Sequence, residues 1–163
     1  MTELKQLKKY VSELNNNLKA IGIETGKISN VSINSRALKR MGLCRKTSSG
    51  YEIEISKFIL SDKEILKNTV YHELLHTVKS CMNHGKKWQE LASQVNRHYN
   101  IDISRTGIAS HEMKQEQLNR MRYKATCQGC GQEILRQKAS KFITEIGNYS
   151  CGRCRGKFKV MEI

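Results

Sequence analysis

The sequence predicts an α+β fold: helices packed on a small antiparallel sheet, followed by a small unit built around cysteines. Three observations predict it. Residues 2–21 carry apolar side chains at helical spacing. The stretches around 31–33 and 51–55 alternate apolar and polar residues. The last forty residues hold two Cys-x-x-Cys pairs. At 163 residues the chain can bury one modest core with an appended module.

Leu4, Leu7, Val11, Leu14, Leu18 and Ile21 recur every three or four positions, with Lys and Glu between them, so residues 2–21 read as an amphipathic helix packed on a sheet. Val31 and Ile33 alternate with polar neighbours, the residues TSSG supply a turn, and Tyr51, Ile53 and Ile55 alternate with Glu52 and Glu54. This predicts two or three antiparallel strands with one buried face. Residues 38–46 fit no single pattern. Ser61-Asp62-Lys63-Glu64 fits a capping box, with Ser61 as the cap and Glu64 reaching back, and a helix over 62–80 follows. A further helix covers 85–98, with Trp88, Leu91 and Val95 as its apolar stripe. Residues 105–120 are polar and contain no proline, which suits a helical or irregular joint better than a flexible spacer.

Twenty-nine Lys and Arg against fifteen Asp and Glu leave a net charge of +14. Such an excess favours an anionic partner, nucleic acid before a membrane surface. The charge is uneven. Residues 1–60 hold eleven basic and five acidic residues (+6), 61–104 six and five (+1), and 105–163 twelve and five (+7). No apolar run is long enough for a transmembrane helix, and the N-terminus lacks the apolar block of a signal peptide. A cytoplasmic location is expected, where paired cysteines favour metal over disulfides.

The near-neutral segment contains YHELLHTVKSCMNHGKKW at 71–88. On a helix, positions i and i+4 lie about 40° apart in azimuth and about 6 Å along the axis. His72 and His76 therefore share a face and can share one zinc ion. Glu73 falls beside that face, where it suits a base taking a proton from an activated water. Val70, Leu74 and Val78 form a separate stripe that can be buried while the histidines face a cleft. A catalytic zinc usually has three protein ligands. His84 is favoured as the third: it lies eight residues past His76, and Gly85 beside it allows a tight turn. Glu90 is a rival ligand, and Cys81 reads as a small buried thiol, as does Cys44. His98 and His111 lack ligand spacing and read as ordinary histidines. Zinc hydrolysis with a glutamate base predicts an amide substrate, most simply a peptide bond. The strand at 51–55 is the expected docking edge for an extended peptide.

Cys127, Cys130, Cys151 and Cys154 form C-x2-C-x20-C-x2-C. Four thiolates close a tetrahedral shell, so this zinc is expected to be structural and to supply folding free energy. The surroundings are basic. Arg122, Lys124, Arg136, Lys138, Arg153, Arg155 and Lys157 are the candidate nucleic-acid contacts, interleaved with Tyr123, Phe142, Tyr149 and Phe158. Cations plus stacking aromatics suit single strands; the plainer reading makes the aromatics a small core.

Together, INSR at 33–36, YEIEIS at 51–56, YHELLH at 71–76, His84-Gly85 before Trp88, and the four-cysteine ribbon resemble the SprT-like zinc metallopeptidases, which include the Spartan proteases. The resemblance covers about residues 1–160. It implies a zincin-like domain at 1–104, a linker at 105–120 and a zinc ribbon at 121–163. It implies His72, His76 and His84 as ligands of a catalytic zinc, Glu73 as the catalytic residue, and a second, structural zinc in the ribbon. Family members act as DNA-dependent proteases on proteins crosslinked to DNA, through zinc-binding elements that contact DNA. The expected partners are therefore DNA, single-stranded or damaged, and DNA-crosslinked protein substrates, for a monomer associated with the nucleoid when DNA-bound. One departure is visible: Gly-Lys-Lys-Trp follows the third histidine where Gly-Pro-x-aromatic is common, which adds two positive charges. A rival reading is a non-proteolytic nucleic-acid-binding regulator with a vestigial metal site. The intact Glu73 argues against it.

Overall fold

The N-terminal apolar stripe forms α1, Glu3–Ala20, in a computed structural model that describes residues 2–107 and 109–163. Leu7, Val11, Leu14 and Leu18 are buried in the core, each worth about 1.5–3 kcal/mol of apolar transfer. Leu4 at the first turn stays exposed. The chain divides into two compact units, residues 1–114 and 115–163.

In the first unit, β1 (Ile28–Asn34), β2 (Gly42–Thr47) and β3 (Gly50–Ser56) form a sheet in the order β1-β3-β2. The ambiguous stretch before TSSG supplies β2. β2 and β3 pair antiparallel through that turn, with Cys44 opposite Ile53. β1 pairs parallel to β3, with Val31 beside Ile53 and Ile33 beside Ile55. β3 is thus the central strand, hydrogen-bonded on both sides, and Ile53 and Ile55 have no exposed surface. A central strand cannot offer a free edge, so the sequence-based assignment of the docking edge to residues 51–55 is corrected: the free edges belong to β1 and β2.

A short 3-10 turn at Lys57–Ile59 leads to α2, Lys63–His76. Its cap is Asp62, one residue later than the capping-box expectation. The Asp62 carboxylate accepts the N–H of Ile65 at 3.0 Å, while the Ser61 hydroxyl donates to Glu112. The helix also stops at His76, short of residue 80. Thr77 donates its hydroxyl to the Leu74 carbonyl at 2.7 Å, the N–H groups of Thr77 and Val78 reach back only three residues, and Ser80 takes φ 70°. Val70, Tyr71, Leu74 and Leu75 are completely buried.

α3, Lys86–Tyr99, buries Trp88, Ala92 and Val95. Tyr99 stacks on Tyr71 with ring centroids 5.4 Å apart and donates its hydroxyl to the Asn17 carbonyl. The chain then returns across the unit. Asn96 clamps Ile103 at both backbone groups, donating to its carbonyl (3.0 Å) and accepting its N–H (2.7 Å). Ser110 donates to the Phe58 carbonyl and accepts the N–H of Met113, which lies in the core at the start of α4 (His111–Asn119).

The second unit has its own antiparallel sheet, order β5-β4-β6, from β4 (Tyr123–Cys127), β5 (Glu133–Arg136) and β6 (Phe158–Glu162). A short helix α5, Lys141–Thr144, sets Phe142 edge-on to Tyr149 and Phe158. Among the described residues no helix is long and apolar enough to cross a membrane.

Candidate metal centres

α2 delivers His72 and His76 from one face, and the turn after it returns His84. The Nε2 atoms of His76 and His84 lie 3.2 Å and 2.9 Å from that of His72, and the three ligand atoms fall within 4.8 Å of one another. The tautomers follow from what the other ring nitrogens face. His72 Nδ1 lies 3.0 Å from the Ser104 carbonyl and His76 Nδ1 lies 2.7 Å from the Cys81 carbonyl. A carbonyl only accepts, so each Nδ1 carries the hydrogen and each Nε2 presents a lone pair. Two lone pairs facing each other across 3.2 Å call for a cation between them. Tetrahedral zinc with Zn–N near 2.0–2.1 Å separates its nitrogens by about 3.3–3.4 Å. The donor set therefore fits zinc.

Burial and the neighbouring imidazoles His76 and His84 hold the His72 imidazole down to about 4, and burial also lowers His76 and His84. All three are neutral near pH 7, the form that binds metal. The turn that carries His84 does not depend on a special glycine conformation. Gly85 has φ −70°, open to any residue, and its N–H is held by the Asn83 side chain at 3.2 Å. Gln89 grips the His84 carbonyl at 2.8 Å. Trp88 packs against all three imidazoles, with centroids 4.6–5.6 Å away, and so shields their apolar edges.

Glu73 reaches toward β2 and lies outside the group of ligand atoms. Burial pushes its carboxyl up to about 8, against the Cys44 N–H that donates to it and the positive charge of Arg40. Gly42 makes room: a Cβ there would lie 2.6 Å from Glu73 Oε1. The rival ligand Glu90 is exposed and lies outside the histidine cluster; Cys81 is buried in the core, with its carbonyl serving His76. Cys44 is a buried free thiol, and burial and then Glu73 push it up to about 12. His98 and His111 are exposed.

In the second unit Cys127, Cys130, Cys151 and Cys154 converge. Sγ of Cys127 lies 3.4 Å from that of Cys154, and Sγ of Cys130 lies 3.7 Å from that of Cys151. Tetrahedral zinc with Zn–S near 2.3 Å separates its sulfurs by about 3.8 Å, so the four thiols also fit zinc. Gly156 lets the backbone approach, since a Cβ there would lie 3.0 Å from Cys127 Sγ and its N–H donates to Cys154 Sγ. The cluster fits a zinc ribbon.

Of the basic residues singled out in the ribbon, Arg122, Arg136, Lys138, Arg153, Arg155 and Lys157 are exposed. Lys124 is half-buried and ion-paired with Glu133. Lys157 donates to the Gly147 carbonyl, and the Arg136 guanidinium lies 5.2 Å from the centre of the Phe142 ring. An open groove of about 480 Å³ runs between Phe142, Phe158 and Ile134, with Gln132, Ser150 and Arg153 also lining it. Sequence reasoning missed the carbonyls of Ser104 and Cys81, the Asn96 clamp and the Gly42 cradle. Only Gly42 carried a signal, as a glycine whose missing side chain allows a close neighbour at what proves to be the first residue of β2.

This arrangement has a counterpart among known families. The model of the SprT-like family matches residues 6–107, more than half of the chain. The chain belongs to the SprT-like family. That family is one of zincin-like metallopeptidases, so residues 6–107 form a metallopeptidase-like domain. The matched span of this SprT-like chain contains most of α1, the mixed sheet and all three histidines. No curated protein matches the chain.

Proposed function

We propose that the SprT-like unit is a zinc-dependent endopeptidase acting on DNA-bound or DNA-crosslinked proteins, with the basic ribbon contacting DNA. The observation that carries the proteolytic reading is the convergence of three neutral imidazoles beside one buried carboxylate. His72, His76 and His84 would hold zinc, which when bound acidifies water and polarises a carbonyl. The charge of bound zinc would favour the ionised form of Glu73 against its burial, and Glu73 takes the proton from the attacking water and returns it to the leaving amine. The Cys44 N–H fixes the carboxylate in place from β2. In the register of the hairpin, Met41 bonds to β3 through Ser56, and alternate residues Gly42, Cys44 and Lys46 turn their backbone groups outward. That free edge, next to Glu73, suits an extended peptide laid along β2.

The DNA part of the reading is supported by the +14 charge, the exposed ribbon cations and a groove walled by Phe142 and Phe158. Cationic and aromatic surface together hold single strands. The test compares wild type with Glu73→Gln on a protein crosslinked to DNA. Wild type is expected to cleave it and Glu73→Gln to lose roughly 10²–10⁴-fold in rate while retaining zinc. Equal cleavage by both would overturn the mechanism. DNA affinity is expected to fall steeply between low and moderate salt; salt-independent binding would remove the ribbon's docking role.

A further inference from the structure

The segment after α3 reaches the histidine centre as well as supporting it. Ile103 is locked by both groups of the Asn96 side chain, and the next residue, Ser104, gives its carbonyl to His72 at 3.0 Å. The Ser104 hydroxyl then donates to the Thr106 carbonyl at 2.9 Å, which closes a tight turn around residue 105. Arg105 is therefore mounted on the support of a metal-ligand histidine. Two residues further on, Gly107 packs against the Met41 side chain next to Gly42, so residue 105 stands between the support of His72 and the start of β2.

Two other cations of this unit are engaged elsewhere. Arg40 is paired with Glu54 at 2.7 Å, and Lys87 donates to the Lys79 carbonyl at 2.9 Å. Arg105 is exposed and has no carboxylate partner among the described residues. Glu73 is drawn toward β2 by Cys44, whereas Arg105 is carried by the segment that supports His72.

We infer that Arg105 is a catalytic residue whose guanidinium takes up the negative charge developing on the oxygen of the scissile carbonyl. The inference rests on the metallopeptidase reading and supplies the oxyanion partner that reaction needs. As water oxygen bonds to the carbonyl carbon, the C=O π pair moves onto the carbonyl oxygen facing Arg105, and the water proton moves to Glu73. Return of that pair breaks the C–N bond, and Glu73 passes the proton to the leaving nitrogen. A guanidinium presents several N–H donors at once.

The experiment uses the zinc-loaded full chain and a peptide in which a phosphonate replaces the scissile amide. Arg105→Gln is expected to lower kcat by roughly 10²–10³-fold with KM unchanged, and to weaken phosphonate binding by a comparable factor. Zinc content should be unchanged, and Arg105→Lys should recover part of both losses. Phosphonate affinity that is absent in wild type or indifferent to Arg105 overturns the inference, as does a change confined to KM. If such a result accompanies normal cleavage by wild type, the endopeptidase reading stands and only Arg105 loses its role. Arginine-dependent phosphonate binding without any cleavage leaves the anion site standing and removes the endopeptidase reading.

Discussion

A methyl group at Gly42 would lie 2.6 Å from Oε1 of Glu73, inside the contact distance of carbon and oxygen. Gly42→Ala must therefore displace the carboxylate or bend the start of β2. The expected outcome is a loss of roughly 10–100-fold in peptide cleavage with zinc still bound, because misplacing a reacting group by about 1 Å is enough. Rate measurements beside metal analysis check it; undiminished cleavage would show that Glu73 can act from elsewhere. Ligand residues were legible from the sequence because His72, His76 and Glu73 have a spacing that only a helix makes sense of. Their supports were not. Ser104 and Cys81 act through backbone carbonyls, which every residue type possesses, so no side chain marks them.

At the scale of elements, two supports can be separated from the fold they belong to. Asn96→Ala removes both bonds to Ile103 and frees the Ser104 carbonyl from its position under His72. Zinc affinity at the histidine centre is expected to fall about 10–100-fold, read by chelator competition. The start of α2 offers a second test. Asp62→Ala should cost about 1 kcal/mol in denaturant unfolding, because the Asp62 carboxylate caps Ile65. Ser61→Ala should cost clearly less; the reverse order would restore Ser61 as the cap. Helical stripes were legible because their period matches one buried face, as Leu7, Val11, Leu14 and Leu18 show. Strand order was not. Alternation in YEIEIS identifies a strand with a buried face, but a parallel neighbour at β1 leaves no local mark, so β3's central place emerges only from pairing.

At the scale of the whole molecule, each unit carries its own ligand set, and the two sets should differ in what metal removal does. The first unit has an extensive apolar core from Leu7 to Met113. In the second, the described core is little more than Ala125, Ile143 and the cysteines. Stripping metal is expected to unfold residues 115–163 while the amides of α2 and β3 remain protected from hydrogen exchange. Simultaneous loss of protection in both units would contradict this division of labour. Charge at this scale was legible from counting alone, since the C-terminal excess of cations needs no fold to be seen. Its disposition was not legible, because the Lys124–Glu133 pair requires β4 and β5 to lie side by side.

Metal content per chain tests the central claim most directly. Wild type should bind two zinc ions. His76→Ala should lose one together with peptide cleavage, and Cys127→Ser should lose one while its histidine centre remains loaded. Unchanged zinc content in His76→Ala, with cleavage intact, would contradict a zinc hydrolysis centre at His72, His76 and His84.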